Sequence, residues 1–351
     1  MPRILITGAA GFIGYHLAHR LASDPHNSLV LVDNFVRGQG DEAYRQLCEH
    51  PNVQAYSIDL ADPAAFATLP NEVDVIYHQA ALNGTQNFYE RPYEVMRCGT
   101  LPTFNLIEKY VRPGRLARFV FAGTPEAYAS TVSRFGWEVP TGEDVPLCVD
   151  DVFNARWSYA AAKIHGEVLV INACRQFHVD SSVIRYHNVY GPRMGDKHVI
   201  PDFLASLNRG RPALHGYDDT RAFLYIDDAV EATIRIGTSP ATAGQLVNVG
   251  SDHEITIFEL AAEMMQLVGR SAEEIALGPS PAGSVARRAP SIDKLNALTG
   301  FEPRWSLSAG LAETMRYYLE PSLRAALDLE RQVCTLARPT ARPVTFQRRA
   351  G

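Results

Sequence analysis

Tyr159 and Lys163 stand four residues apart in Tyr159-Ala160-Ala161-Ala162-Lys163, a spacing that puts both side chains on one face of a helix. A phenol titrates near ~10 when unperturbed. An ammonium beside it stabilises the phenolate and predicts a usable base near neutral pH. Ala122-Gly123-Thr124-Pro125-Glu126-Ala127-Tyr128 offers a hydroxyl, Thr124, that can bond a substrate alcohol. Glu126 in the same run can move a second proton, with burial expected to raise its pKa, or can simply sit as a carboxylate at a helix N-terminus. Thr7-Gly8-Ala9-Ala10-Gly11-Phe12-Ile13-Gly14 holds a glycine triplet. The first glycine permits a turn, the second lets backbone N–H groups approach a pyrophosphate, and the third lets helix and strand pack closely. Asp33 lies 19 positions after Gly14, where a carboxylate binds the hydroxyls of an adenosine ribose and repels a 2′-phosphate. NAD is therefore expected over NADP, with Arg37 nearby counting the other way.

These groups need rigid elements to hold them. Residues 3–7 read as a short buried strand, and Phe12, Ile13, Leu17 and Leu21 then recur at helical spacing. Similar apolar runs at 28–32, 53–58, 73–77, 117–122 and 182–187 alternate with helix-length segments such as 41–49 and 91–111. That alternation predicts an α/β fold, a Rossmann-type doubly wound parallel sheet covered on both faces. After about residue 190, short pieces alternate with Pro192, Pro201, Gly210, Pro212 and Gly216. The expected division is a Rossmann domain over 1–190, a mainly substrate-binding smaller lobe over 191–320 with chain crossing between lobes, and a C-terminal extension over 321–351. The stretch 331–351 has five Arg and no acidic residue, and reads as a surface tail or as a basic arm near a phosphate-bearing ligand or a neighbouring subunit.

Composition narrows the function. The 351 residues are 46% hydrophobic and 21% charged, with a net charge of −6. No global positive field attracts nucleic acid. The five Cys are scattered without a CxxC pair or a Cys/His cluster, so neither a disulfide framework nor a metal site is expected, and a reducing cytoplasm is. No run approaches the ~20 apolar residues of a spanning helix.

The three motifs together resemble the extended short-chain dehydrogenase/reductase family, the NAD-dependent nucleotide-sugar epimerases and dehydratases, over about residues 1–320. The resemblance implies NAD held by Gly8, Gly11, Phe12, Ile13, Gly14, Asp33, Asn34, Asp59, Leu60, Ala80, Ala81, Tyr159 and Lys163. It implies Thr124, Tyr159 and Lys163 as the catalytic set, with Glu126 beside them. A nucleotide-diphosphate sugar would meet Asn188, His198 and Val199, with Arg221 and Arg288 as two separated diphosphate arginines. The family's paired helices imply a homodimer, with Val95, Leu101, Leu106 and Ile107 on one apolar face and Ile164, Val168, Leu169 and Ile171 on the other. Departures from the family pattern are Met96 for a usual Asn, Gly123 for a common Ser, Pro125 where hexose 4,6-dehydratases carry an Asp, and Ser291 for a common Asp.

The expected chemistry is oxidation of a sugar hydroxyl, at C4, to a keto sugar. Hydride return from the other face gives a 4-epimerase, the favoured outcome. The alternatives are a dehydratase (4,6 or 5,6) and a nucleotide-uronic acid decarboxylase, which the Arg156-Trp157-Ser158-Tyr159 context also resembles. A non-catalytic NAD-binding scaffold of the same fold would lack the Tyr or the Lys.

Overall fold

Strand β1 (Arg3–Thr7) buries four consecutive residues, which only a strand covered on both faces requires. Its side chains alternate as a strand must: Ile4 and Ile6 enter one apolar cluster, Leu5 the other. The computed structural model describes residues 1–280, 285–324 and 327. Around β1 it assembles β2 (Ser28–Asp33), β3 (Val53–Ser57), β4 (Val75–His78), β5 (Arg118–Gly123), β6 (Asp180–Tyr186) and the strand Gln245–Val249. They form a seven-stranded sheet in the order Gln245–Val249, β6, β5, β4, β1, β2, β3, with every pairing parallel. The chain reverses its winding between β1 and β4, and a crevice opens there at the carboxyl ends of the strands.

The helices that cover and punctuate this sheet are α1 (Phe12–Ala22), α2 (Glu42–Cys48), α3 (Thr85–Glu90), α4 (Pro92–Tyr110), α5 (Ala129–Phe135) and α6 (Ser158–Gln176). One face packs Leu17 and Leu21 of α1 against Ile4 and Ile6; the other packs Leu106 and Ile107 of α4 and Val170 of α6 against Leu5 and Phe119. α4 and α6 lie against each other on that second face.

Beyond residue 190 the chain builds a smaller lobe. Thr220–Ala222 pairs antiparallel with Glu254–Thr256 and parallel with Arg287–Arg288. The chain also returns to the main body, because Gln245–Val249 completes the large sheet and the helix Ile226–Thr238 packs on α1. The basic stretch 331–351 lies outside the described residues. Among the described residues no helix is long and apolar enough to cross a membrane, no group of His, Cys, Asp and Glu could hold a metal, and Cys48, Cys98, Cys148 and Cys174 are free.

Candidate active site

The turn after β1 is built for close approach. Gly8 has φ +67°, and a Cβ there would lie 2.8 Å from the Ala80 nitrogen. A Cβ on Gly14 would lie 2.0 Å from the Gly8 carbonyl oxygen, so no side chain fits. α1 begins at Phe12 with Gly11 as its N-cap, no capping side chain and no acid in its first turn, which leaves its N–H groups free for an anion. A cavity of about 310 Å³ opens over this turn. Its wall includes Gly8, Gly11, Phe12, Ile13, Gly14, Asp33, Asn34, Asp59, Leu60, Ala80, Ala81, Tyr159 and Lys163, so every residue expected to hold NAD is on one surface. Asp33 is buried and accepts hydrogen bonds from the Ala10 N–H at 2.9 Å and the Phe35 N–H at 2.8 Å, while burial raises its pKa. Asp59 accepts from the Ala61 N–H at 3.0 Å and pairs with Arg97 at 3.3 Å. A backbone cradle with donors at one end and two carboxylates at the other fits a dinucleotide.

Thr124 follows β5 directly, and Tyr159 and Lys163 sit one turn apart near the start of α6. Thr124 shares a hydrogen bond with Tyr159 and accepts from the Glu126 N–H at 3.3 Å. Lys163 is fully enclosed; its Nζ donates to the Ala122 carbonyl at 2.7 Å and lies 5.8 Å from the Tyr159 ring centre. Burial pulls the Lys163 ammonium down to about 8, with the Glu167 carboxylate opposing. The expectation that Lys163 depresses the Tyr159 pKa is not what the structure gives. Burial pushes the phenol up, the Glu126 charge adds to that, and the opposing influences are Arg37 and the Thr124 hydrogen bond.

Glu126 also departs from expectation. Burial alone would raise its pKa, but the guanidiniums of Arg288 and Arg156 outweigh burial and hold the carboxyl below the usual range, with Arg221 assisting. Arg288 donates to one carboxylate oxygen at 2.8 Å and Arg156 to the other at 3.2 Å. Arg288, expected on a phosphate, is thus drawn onto a carboxylate 162 residues away. Arg221 lies 3.7 Å from Asp219, and burial together with Arg288 lowers it to about 10. The remaining expected residues divide. His198 lines the cavity. Val199 packs against the apolar core, and Asn188, at φ 38°, spends its amide on the Ala222 carbonyl at 3.1 Å.

Several neighbours had no individual role assigned from the sequence. Phe88 of α3 stacks on Tyr159, centres 5.2 Å apart and planes at 13°. Gln79 donates to the Tyr186 hydroxyl at 3.2 Å, and both line the cavity. Arg156, three residues before Tyr159, becomes a partner of Glu126, and that local spacing was the signal available for it. Gly123 has a plain reason: a Cβ there would lie 2.5 Å from Glu167 Oε1, which is held by Arg185 through two bonds of 3.1 and 2.8 Å, both side chains buried.

A parallel sheet with a glycine-turn dinucleotide cradle and a Tyr/Lys pair at its carboxyl edge defines an NAD-using enzyme of the extended short-chain dehydrogenase/reductase type. The chain belongs to the NAD dependent epimerase/dehydratase family, whose model matches residues 4–250. It is similar to a UDP-N-acetyl-alpha-D-glucosaminuronate decarboxylase of Bacillus cytotoxicus, 31% identical over 91% of this chain and 98% of that one. It is also similar to UDP-glucuronic acid decarboxylase 1 of Xenopus tropicalis, 32% identical over 90% of this chain and 72% of that one. Among solved structures it resembles a UDP-galactose 4-epimerase at 27% identity and TM-score 0.71, covering 95% of this chain and 100% of that one. A UDP-glucose 4-epimerase of Thermotoga maritima with UDP-glucose matches at 25% identity and TM-score 0.76, over 90% and 98%. The protein acts on a nucleotide-sugar with NAD, through isomerase- or lyase-type chemistry.

Proposed function

We propose that the protein is a nucleotide-uronic acid decarboxylase working through a 4-keto sugar, which replaces 4-epimerisation as the favoured outcome. The observation that carries this is the ionised Glu126 gripped between Arg156 and Arg288 beside the Tyr159–Thr124 pair. Each guanidinium spends one hydrogen bond on Glu126 and keeps further N–H donors for a second carboxylate. A C6 carboxylate is the group on a sugar that such donors select. The similarity to two uronate decarboxylases over nine-tenths of the chain supports the same reading.

Bound NAD supplies the hydride acceptor, and later the donor, at its nicotinamide. Tyr159 takes the proton of the C4 hydroxyl, which Thr124 positions; burial and Glu126 oppose ionisation of its phenol, while Arg37, the Thr124 hydrogen bond and the positive charge that bound NAD would bring favour it. The ketone formed at C4 places the C6 carboxylate β to a carbonyl. The C5–C6 bond then breaks, its electron pair passes into the C4 enolate, and CO₂ leaves. Tyr159, now protonated, donates a hydrogen bond to the enolate oxygen. A solvent-derived proton adds at C5 and the C4 alcohol is restored. Glu126, held ionised by its arginines, is a poor acid for expelling a hydroxyl, and Pro125 supplies none, so nothing in the site favours dehydration.

The test is a product mass. Incubation with a nucleotide-uronic acid gives a product lighter by one CO₂. A product of unchanged mass makes the protein an epimerase, one lighter by water makes it a dehydratase, and no reaction with acid or neutral nucleotide-sugars makes it a scaffold.

The protein is further proposed to pair with a second copy through α4 and α6. Tyr93, Met96, Leu101 and Phe104 on α4 and Val168 on α6 are exposed large apolar side chains on neighbouring helices.

A further inference from the structure

The segment between β2 and α2, residues 34–41, runs along the rim of the cofactor cavity and is pinned there. The Gln39 N–H donates to the Ala10 carbonyl at 2.9 Å, and Arg193 donates to the Gln39 carbonyl at 3.2 Å and pairs with Asp41. Gly38 lies so close to the glycine turn that a Cβ would stand 2.7 Å from both Ala10 Cβ and Asp33 Oδ1. Held in this way, Arg37 lines the cavity with its Nη2 3.3 Å from the Cβ position of Gly195 on the facing wall. Its titratable neighbours are Tyr159, Asp196 and His198, and Asp33 is not among them. Among the described residues its guanidinium has no hydrogen bond or ion pair, whereas the cavity's other cations are engaged, Arg193 by Asp41 and Lys163 by the Ala122 carbonyl.

Burial disfavours this unpaired guanidinium, and an arriving phosphate would give it two charge-assisted bonds. We propose that Arg37 binds the pyrophosphate of the bound dinucleotide from the side opposite the α1 N-terminus. The helix turn and Arg37 then grip the diphosphate between them, and the pinned segment keeps the cofactor in place through the redox-neutral cycle. This rests on NAD occupying the cavity and is independent of which sugar reaction follows. It also places the Arg37 charge away from the ribose edge that Asp33 occupies, so Arg37 does not recruit NADP.

The experiment is a calorimetric titration of the full-length protein, freed of nucleotide, with NAD, ADP, adenosine and NADP, for wild type, Arg37→Ala and Arg37→Lys. Loss of charge-assisted bonds predicts that Arg37→Ala weakens NAD and ADP roughly ten- to a hundredfold while adenosine is unchanged, and that Arg37→Lys recovers part of the loss. The NAD deficit should shrink as salt rises. Equal weakening of adenosine would make Arg37 a prop of the loop. Selective loss of NADP with NAD intact would put it at the 2′-phosphate. No change in any ligand would leave it without a role. Each of these three results overturns the proposal.

Discussion

Replacing Tyr159 with Phe removes one oxygen and leaves the ring stacked on Phe88, so its effect reads proton transfer alone. Turnover should fall by roughly a hundredfold or more, the usual scale for losing a general base, with NAD binding nearly intact. Glu126→Gln should also cost activity, at least about tenfold, because it removes the anion that fixes Arg156 and Arg288 and leaves both guanidiniums to bind substrate in an unproductive pose. Initial-rate measurement of both variants on one nucleotide-uronic acid checks this; wild-type rates from either would contradict the assignment. Tyr159, Lys163 and Thr124 were legible in the sequence because a four-residue helical spacing and a strand end are local facts. The partner of Arg288 was not legible, since nothing in local spacing relates a residue in the smaller lobe to Glu126. The direction of each pKa was unreadable for the same reason: burial and opposing charges come from elements far apart in the chain.

At the scale of elements, β5, β6 and α6 are locked by the Arg185–Glu167 pair, buried directly behind the Thr124 turn. Gly123 exists so that Glu167 fits. Gly123→Ser should destabilise the fold by roughly 1–3 kcal/mol through overpacking and displacement of a buried ion. Denaturant unfolding of Gly123→Ser, Glu167→Ala and the double variant should show a double-variant cost well below the sum, since one side chain's removal relieves the other's clash. Additive costs would mean the two do not meet. Six of the seven strands of the large sheet were readable as apolar runs, with boundaries moved by a residue or two, because most of them are buried on both faces; β3 is an edge strand and half exposed, and Gln245–Val249, after the chain has left the main sheet and returned, was not read. The short strands of the smaller lobe, two or three residues each, carry too little periodicity to read. The apolar faces read on α4 mixed two populations: Val95, Leu106 and Ile107 pack within the chain, whereas Leu101 is exposed. Helical spacing marks an apolar face without saying what covers it.

For the whole molecule, pH acts on stability through three histidines buried as neutral rings. Burial lowers His78 and His187 from an ordinary 6.5 to about 3, and His16 to about 4. The unfolded chain binds these protons at a pH where the folded chain does not, so stability is full above about pH 6.5 and is lost as pH falls toward about 3. Thermal midpoints should drop steadily over that window, with a shallower slope in His187→Phe; a flat midpoint would contradict the burial argument. The exposed α4–α6 face predicts a dimer by light scattering, reduced to monomer by Leu101→Asp with Phe104→Asp, and a wild-type monomer at micromolar concentration would contradict it. The reaction itself is decided most directly by running it in D₂O with a nucleotide-uronic acid and reading C5 of the product by NMR. Decarboxylation through a 4-ketone predicts a CO₂-depleted sugar carrying one solvent deuterium at C5. A product that keeps its carboxylate, is inverted at C4 and has no deuterium at C5 would contradict it.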